Sequence, residues 1–579
     1  MNEIDERTRE APKSGWYFLI AALVVGAPIP FNGVVAILAG SVQDGLVYAL
    51  RWSSFFYLYW APLGLWMYRS RMRRWLRVLV GYIVSVPLYA ICLWLTYPTA
   101  QSSFHPIQSG FWPVYLFMTP VFFGMVLALY AICKRRGWML AIAGTLAILL
   151  ALGGVVGLAV MWGRSDVYGW PAKNSGRLAI VNAHFVDLSG GPEAAHVLDG
   201  KAVLIENGKI TAVEDASQVG PDWPRLDAAG AYLLPGLIDV HAHLIAPMDS
   251  VLEPFDYGYF LNCVFSRYAV HRRNYLESGV TSVRDDGGPA DKLFRMRAKI
   301  AAHQWGGPRL FAVGRLVTAP HGHPASTIWK QFPSLIREGA ILADNHDSLI
   351  RGLELNYREG PPDAVKFIYG TIGLAPERLS PELLKEGIAW ASARHLISVV
   401  HAEKTEEVRE AIADGATGLE HVASVEAVSQ DLLDLIHQKR PYLDPTFGEF
   451  NTAETLRNVG EKKREAEMQV KYGFVRQMRD AGGVMVIGTD APLVKYGAGY
   501  QDELKRFEEA GFTRAEILTY ATINNAAYLG AAKSLGQIAP GFDADLILVK
   551  QNPLENLDTL RMPEYVLRDG IPVVHPGTK

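Results

Sequence analysis

Cysteine is scarce: there are three in 579 residues, with Cys92 and Cys133 inside apolar runs and Cys263 alone. So few cannot build a disulfide framework or a Cys-ligated zinc site, and any metal chemistry must draw on other ligands. Acidic side chains are rare before residue 163, where 5 Asp/Glu face 12 Lys/Arg for a net +7. Residues 163–579 then carry a net −10, without the basic footprint that a nucleic-acid partner requires. No GxGxxG follows a strand and no GxxxxGK[ST] occurs, which removes the main support for dinucleotide or P-loop nucleotide binding. A chain of 63.9 kDa exceeds what one core normally serves, so at least two structural units are expected.

Apolar stretches fill the first part, at 16–40, 46–68, 76–97, 111–133 and 138–162. Each is near the roughly 20 residues that cross a hydrocarbon core as helix, and Trp16, Trp52, Trp75, Trp112 and Trp138 sit at their edges. None carries a buried Asp or Glu, which favours an anchor over an ion or proton relay. Arg69, Arg71, Arg73, Arg74 and Arg77 join the second and third stretches, Lys134, Arg135 and Arg136 the fourth and fifth, and 98–110 has no Lys or Arg. Basic loops held in the cytoplasm place everything beyond Trp162 outside. The expectation is a multi-pass protein of a bacterial inner membrane, its partner the lipid bilayer, with the catalytic part on the periplasmic or outer side. A re-entrant stretch would give four spans and a cytoplasmic domain instead.

From 178 to 236 the residues alternate like short strands, and Asn207-Gly208 between VLIE and KITAVE is a hairpin signal. The pattern then changes to strand followed by helix, with strand cores at 238–243, 280–285, 309–314, 364–369, 396–401, 416–421, 441–446 and 484–490. Ser380 before Pro381, and Thr513 three residues before Glu516, mark helix starts. Hairpin-like strands return at 543–550 and 564–573. The fold class expected is α/β: a (β/α)₈ TIM-like barrel with a small β-sandwich built from both its flanks, preceded by a helical transmembrane region. The domains are 1–162 (about five membrane helices), 163–236 (linker and first part of the sandwich), 237–530 (metal-binding barrel) and 531–579 (second part of the sandwich).

Polar residues gather where such a barrel keeps its chemistry, at the C-terminal ends of its strands. His241 and His243 lie two apart on strand one, Lys366 on strand four, His401 ends strand five, His421 strand six and Asp490 strand eight. Imidazoles and a carboxylate suit two divalent metal ions, zinc first among them, while a buried ammonium would repel both. The conflict disappears if carbon dioxide converts Lys366 to a carbamate that bridges the metals; a buried ion pair with Asp490 is the structural alternative. The metals would hold a bridging hydroxide, and Asp490 would act as general base and acid. Tyr369 is assigned to hydrogen-bond the substrate carbonyl or its adduct, with core packing as the alternative. Arg315 is a candidate for a substrate carboxylate, and the polar region from Glu449 to Asp480 is read as an insertion over the mouth.

PGLIDVHAHL, AVKFIYG, ISVVHA, GLEHVAS, VIGTDAP and GQIAPGFDADLILVKQNPLENL together resemble the metal-dependent amidohydrolases, in the branch around imidazolonepropionase-related proteins and Xaa-Pro dipeptidases. The resemblance spans about residues 178–573. It implies that His241, His243 and Asp490 hold the more buried metal, His401 and His421 the other, and carboxylated Lys366 bridges them. VGRLVTAPHGHP resembles the third-strand loop of the branch; it leaves His321 and His323 as candidates to face substrate, and His323 is assigned as catalytic. Arg284 and Asp285 match an Arg-Asp pair expected to form an internal salt bridge. The function expected is hydrolysis of an amide or peptide C–N bond in a small molecule, a dipeptide or N-acyl amino acid. A lactonase, esterase or cyclic-amide hydrolase with the same site is the alternative, ahead of a mononuclear deaminase or a non-enzymatic scaffold. A homo-oligomer stays open.

Overall fold

Asn207 and Gly208 take φ 50° and 81°, the left-handed pair that a two-residue hairpin turn needs. They fold Lys201–Glu206 onto Lys209–Asp215, and Arg177–Val181 and Arg225–Asp227 complete a four-stranded sheet. The computed structural model describes residues 176–246, 263, 268–330, 332–370, 377–456 and 460–576. The five expected membrane spans lie outside them; no helix among the described residues is long and apolar enough to cross a membrane.

A second sheet has six strands, and its centre joins the two ends of the barrel sequence: Tyr232–Pro235 pairs antiparallel with Leu546–Val549, Leu234 opposite Ile547. Ile180, Val203 and Ile205 of the first sheet meet Phe185, Leu233 and Leu546 of the second in one apolar cluster. Each large side chain so buried contributes about 1.5–3 kcal/mol, and only both flanks together complete that cluster.

Between the flanks run eight parallel barrel strands: Leu237–Ala242, Val280–Asp285, Arg309–Ala312 continued by Leu316–Thr318, Ala364–Ile368, Ile397–His401, Gly418–Glu420, Tyr442–Asp444 and Val484–Met485. The third is interrupted where Gly314 takes φ 71° and an added Cβ would stand 2.5 Å from Asn356 Oδ1. An additional short strand, Ala340–Leu342, pairs beside its second half. Val240 N donates to Ile487 O at 3.3 Å and Asp490 N to His241 O at 2.8 Å, which closes strand eight on strand one. Asn525 bonds Ile487 N, Ile487 O and Ile238 O, holding the same seam from below.

Helix starts follow their local chemistry. Ser380 accepts Leu383 N, and Thr513 and Glu516 cap each other's backbone N–H. The expected insertion over the mouth divides into two different helices. Glu461–Asp480 buries Met468, Tyr472, Val475 and Met478 in the main core, so it belongs to the outer helix ring. Phe447–Leu456 is the additional element, and it starts directly after strand seven.

Candidate metal centre

Alternation along strand four sends Lys366 into the barrel and Phe367 outward, where its ring lies against Gly387 of a helix. Lys366 is 1% exposed, and burial lowers its ammonium to about 8 against the pull of Asp286 and Asp490. Its ion-pair partners are Glu420 and, at 3.8 Å, Asp286. Asp490, the partner expected for an unreacted lysine, is instead beside the imidazoles. Arg284 lies under this group, bonded to Asp286 and Glu420 and stacked 4.5 Å above the Tyr528 ring.

His241, His421 and Asp490 offer one ligand atom each within 4.8 Å of one another, and His241, Asp286 and Glu420 do the same. Asp490 Oδ1 is 3.2 Å from His243 Nε2 and 3.5 Å from His241 Nε2. Burial opposes its ionisation, but His243 holds the Asp490 carboxyl below the usual range. The His401 and His421 rings stand 4.2 Å apart and those of His241 and His421 4.9 Å. His241, His243, His421 and Asp490 therefore converge directly, His401 stands against His421, and Lys366 joins them through Glu420 and Asp286, which also approach His241. His421 and Asp490 take φ 64° and 54°, a backbone region costly for side chains other than glycine and found where function holds it.

The donor set fits divalent cations on a structural test. His401 Nε2, Glu420 Oε2 and Glu449 Oε2 are buried and make no hydrogen bond of good geometry, although Glu403, Lys366 and His421 stand beside them; buried polar atoms left so keep capacity for ligation. Carboxylates stand behind the imidazoles as they do around metal-binding histidines. Asp444 Oδ2 is 3.5 Å from His241 Nδ1, while its Oδ1 accepts Gly488 N and Thr446 N.

Of the two third-strand-loop histidines, His323 is the inward one. Thr327 Oγ1 bonds its Nδ1 at 2.7 Å, its ring stands 6.2 Å from His401, and burial lowers its imidazole to about 3. His321 is exposed. Tyr369 does not join the site: it continues the outward alternation of Phe367, and its hydroxyl donates to Glu410 on the neighbouring helix. Arg315 is also excluded as a free carboxylate receptor, because Glu359 pairs with it. Arg284 forms no salt bridge with Asp285; its partner is the next residue, Asp286. Asp285 accepts Leu244 N and Gly287 N instead.

Glu420, Asp286, Asp444 and Glu449 escaped the sequence reading. Glu420 adjoins His421, so strict alternation would place the two on opposite faces. The left-handed His421 cancels that rule. Glu449 follows strand seven by five residues and carried no motif.

The amidohydrolase family profile matches residues 232–573, more than half of the chain. Ochratoxinase of Aspergillus niger is 24% identical over 367 residues, which is 58% of this chain and 73% of that protein. In structure, a Xaa-Pro dipeptidase with bound methionine superposes with TM-score 0.59 at 22% identity, covering 68% of this chain and 99% of that one. The A. niger ochratoxinase structure does so with TM-score 0.57 at 22% identity, over 69% and 96%. The same strand ends that bring the imidazoles together lie inside the matched region, and the chain belongs to the amidohydrolase family.

Proposed function

We propose that the protein hydrolyses an amide or peptide C–N bond in a small substrate, a dipeptide or an N-acyl amino acid, with two divalent metal ions, zinc first among them. The observation that carries this reading is the convergence of His241, His421 and Asp490 within 4.8 Å beside a buried lysine. Two divalent ions there would supply a Lewis acid for the carbonyl oxygen and a water acidic enough to ionise near neutral pH. His241, His243 and Asp490 would hold one ion, His401 and His421 the other, with Lys366 as carbamate between them. Asp286 and Glu420 balance Arg284 and an unreacted Lys366 ammonium, so a carbamate there would leave an excess of negative charge that divalent cations beside it would have to offset.

Asp490, whose carboxyl is held below the usual range, takes the proton of the attacking water and returns it to the leaving nitrogen. His323, neutral and braced by Thr327, presents its free ring edge to the substrate carbonyl. Metal analysis of the purified chain, with a scan of dipeptides, N-acyl amino acids and lactones, tests the reading. Turnover of lactones alone would move it to ester chemistry, and a metal-loaded protein inert towards every amide would sink it.

Anchoring in a bacterial inner membrane by residues 1–162, with the barrel outside, is part of the same proposal. It rests on the basic loops of that region. Protease added to intact spheroplasts should reach residues 163–579; protection until lysis would reverse the orientation.

A further inference from the structure

The helix Phe447–Leu456 is tied to the barrel at its first turn. Glu503 accepts Phe447 N and Gly448 N, both at 2.7 Å. An added Cβ on Gly448 would stand 3.1 Å from Glu503 Oε2 and 2.9 Å from Val494 Cγ1, so the helix start fits closely. Thr446, just before it, holds φ 43°, a strained conformation for a β-branched residue. It places its Oγ1 2.8 Å from His421 Nδ1.

Glu449 approaches the same ring edge. Its Oε2 lies 2.9 Å from His421 Nδ1, buried and without a hydrogen-bond partner of good geometry. From the next helix, Lys471 Nζ reaches Ala423 O at 3.1 Å and stands 3.6 Å from the Phe450 ring centroid. Both helices after strand seven thus grip the segment that carries His421. A carboxylate that close to an imidazole nitrogen is favourable when that nitrogen carries the proton, which leaves the lone pair on Nε2.

We propose that Glu449 is a positioning residue for His421: it fixes the Nδ1–H tautomer and couples metal binding to docking of the helix Phe447–Leu456 on the barrel mouth. The proposal rests on His421 being a metal ligand. An outer carboxylate of this kind orients the ring and raises its basicity, and its loss typically costs about 10–100-fold in metal affinity. Coupling is reciprocal, so whatever the docked helix adds to metal affinity the metal returns to docking.

The test uses the metal-free full chain titrated with Co²⁺, read by visible absorption and chelator competition, and hydrogen exchange of 447–456 with and without Co²⁺. Glu449→Ala should bind Co²⁺ about 10–100-fold more weakly with a shifted absorption band. Glu449→Gln should recover part of both, because its amide oxygen can stand at the same Nδ1–H edge. Co²⁺ should slow exchange of 447–456 in the native protein and much less in Glu449→Ala. Gly448→Ala, which leaves the carboxylate but disturbs the helix start, should also weaken Co²⁺ binding; it decides the question if Glu449→Ala fails to fold. Native affinity and spectrum in folded Glu449→Ala would overturn the positioning role, and native affinity in Gly448→Ala, or exchange unresponsive to Co²⁺ in the native chain, would overturn the coupling. Either result leaves the metal reading standing, whereas a native chain that binds no Co²⁺ overturns both.

Discussion

At the N-terminal end of the barrel, Arg309 and Arg568 meet Asp543, Asp545 and Asp569, and every carboxylate oxygen faces a basic group. Asp543 is held by Lys209 and Arg309, Asp545 by Arg568 and Arg309, and Asp569 by Arg309 and His303. At the C-terminal end the charges are more deeply buried, and Glu420 Oε2, Glu449 Oε2 and His401 Nε2, although Lys366, His421 and Glu403 stand beside them, make no hydrogen bond of good geometry. Burial alone cannot separate these clusters, since both contain acids and bases that water does not reach. Closure separates them: the first joins sandwich to barrel, and the second keeps capacity for ligands the protein must acquire.

The largest effect that would break this comparison is at Lys366. Lys366→Ala should lower metal content towards one per chain and turnover by at least about 100-fold, with partial rescue by formate or acetate. Two metals retained at near-native turnover would make the lysine a structural cation, as Arg568 is at the other end. Arg568→Met is the matching change in the closed cluster. It leaves the buried Asp545 with only Arg309 and the Asp569 N–H and should cost about 3 kcal/mol of stability, while metal per chain stays native. Loss of metal in that variant would show that the two ends are not separable.

A smaller effect sharpens the contrast through pH. Burial raises the Glu503 carboxyl to about 7 from an ordinary value of 4.5. The folded chain therefore binds this proton more tightly than the unfolded chain. The resulting penalty is absent below about 4.5, grows through about 7 and is complete above it. Native protein should lose stability relative to Glu503→Gln between about pH 4.5 and 7, by on the order of 2 kcal/mol or more. Thermal unfolding of both metal-free proteins across that range measures it, and parallel pH profiles would contradict it.

Much of this architecture can be read in residues because local rules and tertiary structure agree. Asn207-Gly208, Ser380-Pro381 and Thr513 with Glu516 did in the fold what their chemistry dictates, and the strand-end histidines converge because a closed parallel barrel leaves them nowhere else to go. What stayed hidden depends on broken periodicity. On strand one, the register against strand two shifts between Asp239 and Ala242. Asp239 consequently turns to the Tyr275 hydroxyl and Thr489 although its spacing matches His241. Asp286 lies one residue past the strand whose Arg284 it neutralises, so strand grammar pointed to Asp285. Residues 1–162 lie outside the described part, and the spans read there remain a proposal from hydropathy and loop charge.

Tyr369 offers the smallest and most discriminating change. Its position at the end of strand four suggests substrate contact, but its hydroxyl bonds Glu410 and its ring lies 4.8 Å from the Arg378 guanidinium, in the layer between strand and helix. Tyr369→Phe removes one hydrogen bond whose acceptor, Glu410, is partly exposed and can turn to water. The expected cost is about 1 kcal/mol or less. Because no atom of the site loses a partner, kcat and KM should both stay within about twofold of native. His323→Ala in parallel provides the contrast, since that ring lies beside His401 and its loss should lower kcat/KM by at least about tenfold. If Tyr369→Phe instead lowered kcat while leaving stability untouched, the tyrosine would have to swing inward during turnover. The line between the open cluster and its supporting layer would then have to be redrawn through strand four.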